Sequence, residues 1–343
     1  IVYSRMGDYP KAIEYHQQHL KIAREIKSRE GEGIALSTLG IVYSRMGDYP
    51  KAIEYHQQHL KIAREIKSRE GEGIALSTLG IVYSRMGDYP KAIEYHQQSL
   101  KIAREIKSRE GEGLTLNNLG LAYHKIGNFQ LAESTLFKSM KVYESLRGGL
   151  KDNNKITIFD TQSSIYHTLQ QVLIAQNKTD VALLIAERGR ARAFVELLAS
   201  KLSPNPNEKL FTPPNIDQIK QIASTQNATL VQYSITYNDF KFKGKRQVKE
   251  SKLYIWVVRP TGKIAVKQVD LTSINKSLEE LVISSRDSIG VRGSNMFDVS
   301  VVTPSPEDPT QKLKQLHKLL IAPIADLLPK DRNERVIFIP QES

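Results

Sequence analysis

Cysteine is absent from the 343 residues, which excludes disulfides, thiolate metal sites and a cysteine nucleophile anywhere in this chain. No run of about 18 apolar residues occurs either, so nothing reads as a membrane span. The nearest candidate, Leu319–Leu328, is interrupted by Pro323 and Asp326. A Gly-x-Ser-x-Gly elbow, a Walker-type phosphate loop and a Rossmann glycine fingerprint are also missing. What is present is ordinary for a globular protein, with 40% apolar and 25% charged residues. Lys and Arg number 49 against 37 Asp and Glu, a net charge of 49 − 37 = +12, which favours acidic partners without naming one. Residue 1 is Ile, inside a repeat, so the expectation is that the true start lies upstream and that a targeting signal is not visible.

Self-comparison decides the architecture of the first half. Residues 1–40 are identical to 41–80, and 81–120 differ from 41–80 at five positions: His59/Ser99, Ile74/Leu114, Ala75/Thr115, Ser77/Asn117 and Thr78/Asn118. A fourth, diverged copy begins at 121, where Gly120 precedes an apolar-x-Tyr step as Gly40 and Gly80 do. Each copy reads as two helices. In the middle copy Gly71–Met86 carries Ile74, Leu76, Leu79, Ile81, Val82 and Met86 at helical spacing. Gly87-Asp88 breaks that helix, and Pro90 suits the first turn of the next. The second helix continues through Ala92, Ile93, Tyr95, His96, Leu100, Ile102, Ala103 and Ile106. One hairpin cannot bury its apolar face alone, so copies stack into a solenoid. Near-identity implies recent duplication, a variable copy number, and no single copy shaped around one ligand atom.

Leu39-Gly40, Tyr43, Gly47, Tyr49 and Ala52, recurring as Leu79-Gly80, Tyr83, Gly87, Tyr89 and Ala92, resemble the tetratricopeptide repeat in a 40-residue form over 1–147. Small residues at Gly40 and Ala52 are expected to let paired helices approach. His19 and His59 stand where the family has a small residue, and Ser99 restores it.

After Arg147-Gly148-Gly149 the period fails. Residues Ile158–Gln176 and Val181–Ser200 read as a helical pair that closes the solenoid, with Gly189 inside the second helix serving close packing. Ser203–Pro214 reads as a linker. Beyond it, Asn215–Ser224, Ile274–Ser284 and Gln311–Leu328 read as helices. Thr229–Thr236, Leu253–Val258, Ile264–Val269 and Val336–Ile339 read as strands. Lys241–Lys252, with six basic residues, reads as a long hairpin tip, and Gly290–Pro309 as a mobile loop. The segments Ala186–Ala199, Leu253–Val258, Leu319–Leu328 and Arg335–Gln341, in this order, resemble the start of a CHAT domain. That is a caspase-like module that often follows tetratricopeptide repeats, especially in cyanobacteria. The resemblance covers about 180–343. It implies an α/β caspase-like fold and a catalytic His and Cys after later strands. Neither can be carried over: there is no Cys, and the last His is His317. Glu342 departs from the glycine the family favours.

The expected architecture is therefore an α-solenoid of hairpins over 1–147, a closing helical pair over 148–203, and the N-terminal part of a CHAT domain over 204–343, incomplete before the dyad. The expected function is protein–protein interaction without enzymatic activity, cofactor or metal, in the cytoplasm. The competing expectation is a piece of a longer caspase-like cysteine peptidase regulated by its repeats. His16 with His19 and His56 with His59 have a helical spacing that suits a metal, but the third copy has Ser99 and no carboxylate partner is evident. The 241–252 cluster offers phosphate contacts, yet no nucleic-acid recognition motif accompanies it. The resemblance places the first helix of each hairpin on a concave groove. Arg5, Arg45, Arg85 and Lys125 would form a ladder of cations there, with Ile41, Ile81 and Leu121 one turn earlier. The expected ligand is an extended, acidic protein segment, from a partner or from the CHAT region of the same molecule.

Overall fold

The computed structural model describes residues 7–147, 152–189, 214–242, 245–274, 276–288, 309–331 and 333–340. Arg5, the linker at 203–213, the loop at 290–308, residues 190–199 and Glu342 lie outside the described residues. The chain divides into two compact units, the first holding Ile1–Gln176 and Lys241–Gln247 and the second Asn177–Phe240 and Val248–Ser343.

The first unit is a succession of helices: α1 Tyr9–Glu25, α2 Arg29–Met46, α3 Tyr49–Glu65, α4 Arg69–Met86, α5 Tyr89–Glu105, α6 Arg109–Lys125, α7 Phe129–Arg147 and α8 Asp152–Ala175. Local chemistry sets the boundaries. Asp48 and Asp88 cap α3 and α5 by accepting from the backbone N–H of Lys51 and Lys91, with Pro50 and Pro90 in the first turn. Ser68 caps α4 by accepting from Gly71 N–H at 3.1 Å. Gly47 and Gly87 end α2 and α4 at φ 88 and 89, a left-handed conformation that glycine adopts without penalty.

Each helix packs against the next, and the first helices of successive hairpins (α2, α4, α6, α8) also approach one another. The core is the row Ala35, Leu36, Leu39, Val42 and its copies, all buried. Two close approaches fix the pairing. A Cβ at Gly40 or Gly80 would sit 2.6 Å from the ring of His56 or His96, and one at Gly120 would sit 2.5 Å from Leu136. Tyr43 stacks on Tyr55 and Tyr83 on Tyr95, each pair with centroids 5.3 Å apart. The expected small-residue contacts are present, since Ala52 and Ala92 are fully buried.

A charge network repeats with the solenoid. Arg64 donates to Glu72 at 2.9 Å, and Arg69 pairs with Glu72 and reaches the next copy at Glu105, its Nε donating at 3.0 Å. The same four-residue set joins Arg24, Glu32, Arg29 and Glu65. Hydrogen bonds from Arg24, and then from Arg29, hold the Glu32 carboxyl below its usual range against the opposing effect of burial. The chain of pairs stops at Arg109, because Ser145 stands where the next Glu would be. These guanidinium groups are half exposed, so the network is weak. Arg69→Met should lower the melting temperature slightly at low salt. It should leave it unchanged near 1 M salt, where the screening length is about 3 Å. An equal loss at both salt concentrations, read by circular dichroism melts, would show that Arg69 acts through packing.

Beyond Gln176 the elements are α9 Thr179–Gly189, α10 Ile216–Thr225, β1 Ala228–Phe242, β2 Lys245–Val258, β3 Ile264–Asp270, α11 Leu278–Ser288, α12 Pro309–Leu320, a 3-10 turn Ala322–Ile324 and β4 Arg335–Ile339. The sheet order is β3-β2-β1-β4, with β2 and β3 antiparallel and β4 parallel to β1, Leu230 opposite Ile337. Leu253–Val258 is buried on both faces, as a continuous apolar run predicts. Val231, Ile255, Val257, Leu271, Leu281, Leu319 and Ile324 form the core on one of them. On the other, Tyr254 and Trp256 lie with ring centroids 5.8 Å apart.

Three elements differ from expectation. The basic segment Lys241–Lys252 is largely strand, β1 and β2 running on into it, because Phe240 and Phe242 keep the two-residue alternation. The helix expected over 311–328 ends at Leu320, since Pro323 has no N–H to continue the helical hydrogen-bond ladder and its ring crowds the preceding turn, and a 3-10 turn at Ala322–Ile324 follows instead. The helix expected from Ile274 starts at Leu278, where the backbone N–H of Leu278 donates to Glu250 at 2.6 Å and that of Glu280 to Ser277 Oγ at 3.0 Å. Ile274 instead sits buried in the core before that turn.

Candidate partner-binding face

The first helices α2, α4 and α6 carry the residues singled out by sequence. On α2, Ala35, Leu36, Leu39, Val42 and Tyr43 are buried toward neighbouring helices, which leaves one narrow stripe outward. Ile41 is 37% exposed and Arg45 is exposed on that stripe. Ile81, Leu121 and Arg85 are half-buried at the equivalent positions, and Lys125 is exposed. Arg85 donates from Nη1 to Ser44 Oγ at 2.8 Å, bonding one hairpin to the one before it. Asp48 and Asp88 pair with Lys51 and Lys91. His124 lies beside the row with its ring tilted against Phe129.

Two further rows belong to this face and were not singled out from sequence. Ile34, Ile74 and Leu114 are 50%, 48% and 41% exposed, seven residues before Ile41, Ile81 and Leu121. Glu30, Glu70 and Glu110 are exposed one turn earlier still. Ile74 reads as core in the amphipathic pattern, but Leu76, Leu79 and Val82 take the core while Ile74 and Met86 face out. The signal that finds the stripe is the spacing of four, seven and four residues, which keeps Glu30, Ile34, Ile41 and Arg45 within an arc of roughly 60°.

The histidines sit in packing niches. His56 and His96 are buried against Gly40 and Gly80, and His59 packs on Gly33. Ser99 and Ser139 instead donate to the carbonyls of Gly73 and Gly113, at 3.0 and 2.8 Å. Burial pushes the His56 and His96 imidazoles down to about 4, so both are neutral at pH 7. No group of three or more metal-ligating side chains is assembled among the described residues. The second unit has an open cleft of about 600 Å³ lined by Asp270, Lys276, Lys312 and Lys318 among others. None of the residues singled out by sequence as a site lies in it. No described helix is long and apolar enough to cross a membrane.

The first unit is a helical-hairpin solenoid. Its repeats are tetratricopeptide repeats: the model of that repeat matches residues 1–65 and 72–145. The chain is 32% identical over 166 residues to human tetratricopeptide repeat protein 28, and 30% identical over 179 residues to the mouse protein. Each match covers 46% of this chain, and the chain spans about 7% of the length of these relatives. Among solved structures, BtubC from P. vanneervenii superposes with a TM-score of 0.50 at 20% identity, over 62% of this chain and 83% of that one. That likeness concerns the fold. The matched repeat is not a catalytic family, and its general role is protein–protein interaction.

Proposed function

We propose that the chain is an interaction scaffold whose first helices seat a protein segment running across successive hairpins. The observation that carries this reading is the outward stripe of Ile41, Ile81 and Leu121 beside Arg45, Arg85 and Lys125, apolar side chains left uncovered next to a row of cations. Arg5 belongs to the same row by its place in the repeat. The row favours acidic residues on the flank of the ligand that meets it, and the ligand comes from a partner or from the same molecule. The resemblance over 180–343 supports a CHAT-type second module under control of the repeats. In this chain, which contains no Cys, that module serves contact rather than peptide hydrolysis.

Each exposed charge contact is worth at most about 1 kcal/mol, so affinity comes from several rungs together. Arg45→Glu with Arg85→Glu should weaken binding of a fluorescently labelled peptide of three Leu/Glu heptads by about ten-fold or more. The same change at Lys61 and Lys101, exposed on α3 and α5, should leave it nearly unaffected. Fluorescence anisotropy reads both. Equal affinities for the two double variants would place the site elsewhere.

A further inference from the structure

We propose that the segment seated on this face is an amphipathic helix with segregated charges, acidic along one flank, basic along the other and apolar between. The proposal rests on the groove reading above and adds the conformation and second flank of the ligand. Four rows cross the hairpins in order. They are Glu30, Glu70 and Glu110; Ile34, Ile74 and Leu114; Ile41, Ile81 and Leu121; and Arg45, Arg85 and Lys125. Fifteen residues separate the first row from the last, about 22 Å along a helix rising 1.5 Å per residue.

Helix dipoles account for part of this. Acids in the first turn and bases in the last are favourable in any helix. The dipole does not account for two rows of half-exposed isoleucine and leucine between them. An apolar floor bordered by opposite charges is a surface complementary to a ligand of the same order. A membrane surface or a nucleic-acid backbone is negative throughout and would be repelled by the Glu row.

The three-way order selects a helix over an extended chain. A strand alternates between two faces, so it cannot present apolar, acidic and basic edges separately, whereas a period of 3.6 residues can. The spacing agrees. Helices in contact lie roughly 8–10 Å apart, and a crossing helix covers that distance in about five to seven residues. A ligand helix with a heptad-like pattern therefore meets each hairpin in the same way.

Three labelled three-heptad peptides test this against the full chain by anisotropy. The first carries a Leu strip with Glu on one flank and Lys on the other. The second has the same composition with Glu and Lys mixed on both flanks. The third is the Leu/Glu peptide. The first should bind about ten-fold tighter than the others. Glu30→Lys, Glu70→Lys and Glu110→Lys together should reverse the preference toward the third, and the corresponding Gln triple should erase it while sparing the fold if Lys does not. If the third binds as well as the first while Arg45→Glu with Arg85→Glu still weakens it, the groove reading stands and the segregated helix is wrong. If the preference survives the triple substitution, the Glu row is not a contact. If no peptide binds, or binding is indifferent to Ile41→Asp with Ile81→Asp and to the arginine pair, both readings fall.

Discussion

The solenoid should lose stability as the pH falls from about 6.5 toward 4, and most of the loss should disappear when His56 and His96 are replaced by leucine. Both rings are almost wholly buried, and burial holds them at about 4 against the ordinary 6.5. His56 Nδ1 and both nitrogens of His96 have no hydrogen-bond partner. Arg85 adds to the depression of His56, and so does the neighbouring His59. The folded state thus binds the proton less readily than the unfolded chain. Stability contributed by the neutral rings is complete above pH 6.5 and declines as pH falls through 6.5 toward 4. Each unit of separation is about 1.4 kcal/mol, so each ring withdraws about 2 kcal/mol at pH 5. His167, held at about 4 by burial, adds to the decline in both proteins.

The fourth copy supplies the control, because Leu136 occupies the niche opposite Gly120 that His56 and His96 occupy opposite Gly40 and Gly80. His56→Leu with His96→Leu should flatten most of the pH dependence of the urea midpoint between pH 7 and 5 while keeping the fold. If both proteins lose stability in parallel over that range, protonation of these rings is not the cause.

Most of this architecture is legible in the sequence. A period of 40 residues, Gly-Asp breaks and a proline two residues later fix helices and turns that the caps of Asp48, Ser68 and Gly87 reproduce. The strands of the second unit were legible because Leu253–Val258 and Val336–Ile339 are dense in β-branched and aromatic side chains. Two things were not. The length of the β1–β2 ribbon was hidden because a lysine-rich stretch reads as a loop by composition, while strand pairing depends on backbone and alternation. Half of the candidate face was hidden as well. Glu30 reads as a helix-start acid and Ile74 as core, and only packing against both neighbouring helices shows that Ile74 is left out while Leu76 and Leu79 are taken in. Periodicity tells which residues share a stripe, but a repeat helix has partners on two sides, so its buried arc is wide and its edges are set by the tertiary contacts.

Replacing Gly40 and Gly80 together by alanine should be among the most damaging conservative changes in the molecule. In an isolated helix the change is favourable by about 1 kcal/mol, since alanine is the better helix former. Here the new Cβ would lie 2.6 Å from the His56 or His96 ring, closer than side-chain atoms tolerate. The rings cannot swing aside, being buried between packed helices, so the helices of each hairpin must part. Overpacking of this kind costs about 1–3 kcal/mol per site, occasionally more, and the two sites fall in adjacent hairpins whose stacking depends on both. The expected result is a fall of several kcal/mol in unfolding free energy, about 2 kcal/mol or more per site by denaturant titration. The sign should invert in the background of His56→Ala with His96→Ala. With the rings gone, the added methyls enter vacated space, and the helix preference of alanine is recovered. A double-mutant cycle in which Gly40→Ala and Gly80→Ala cost as much without the rings as with them would mean that the glycines serve the backbone and not the histidine niche.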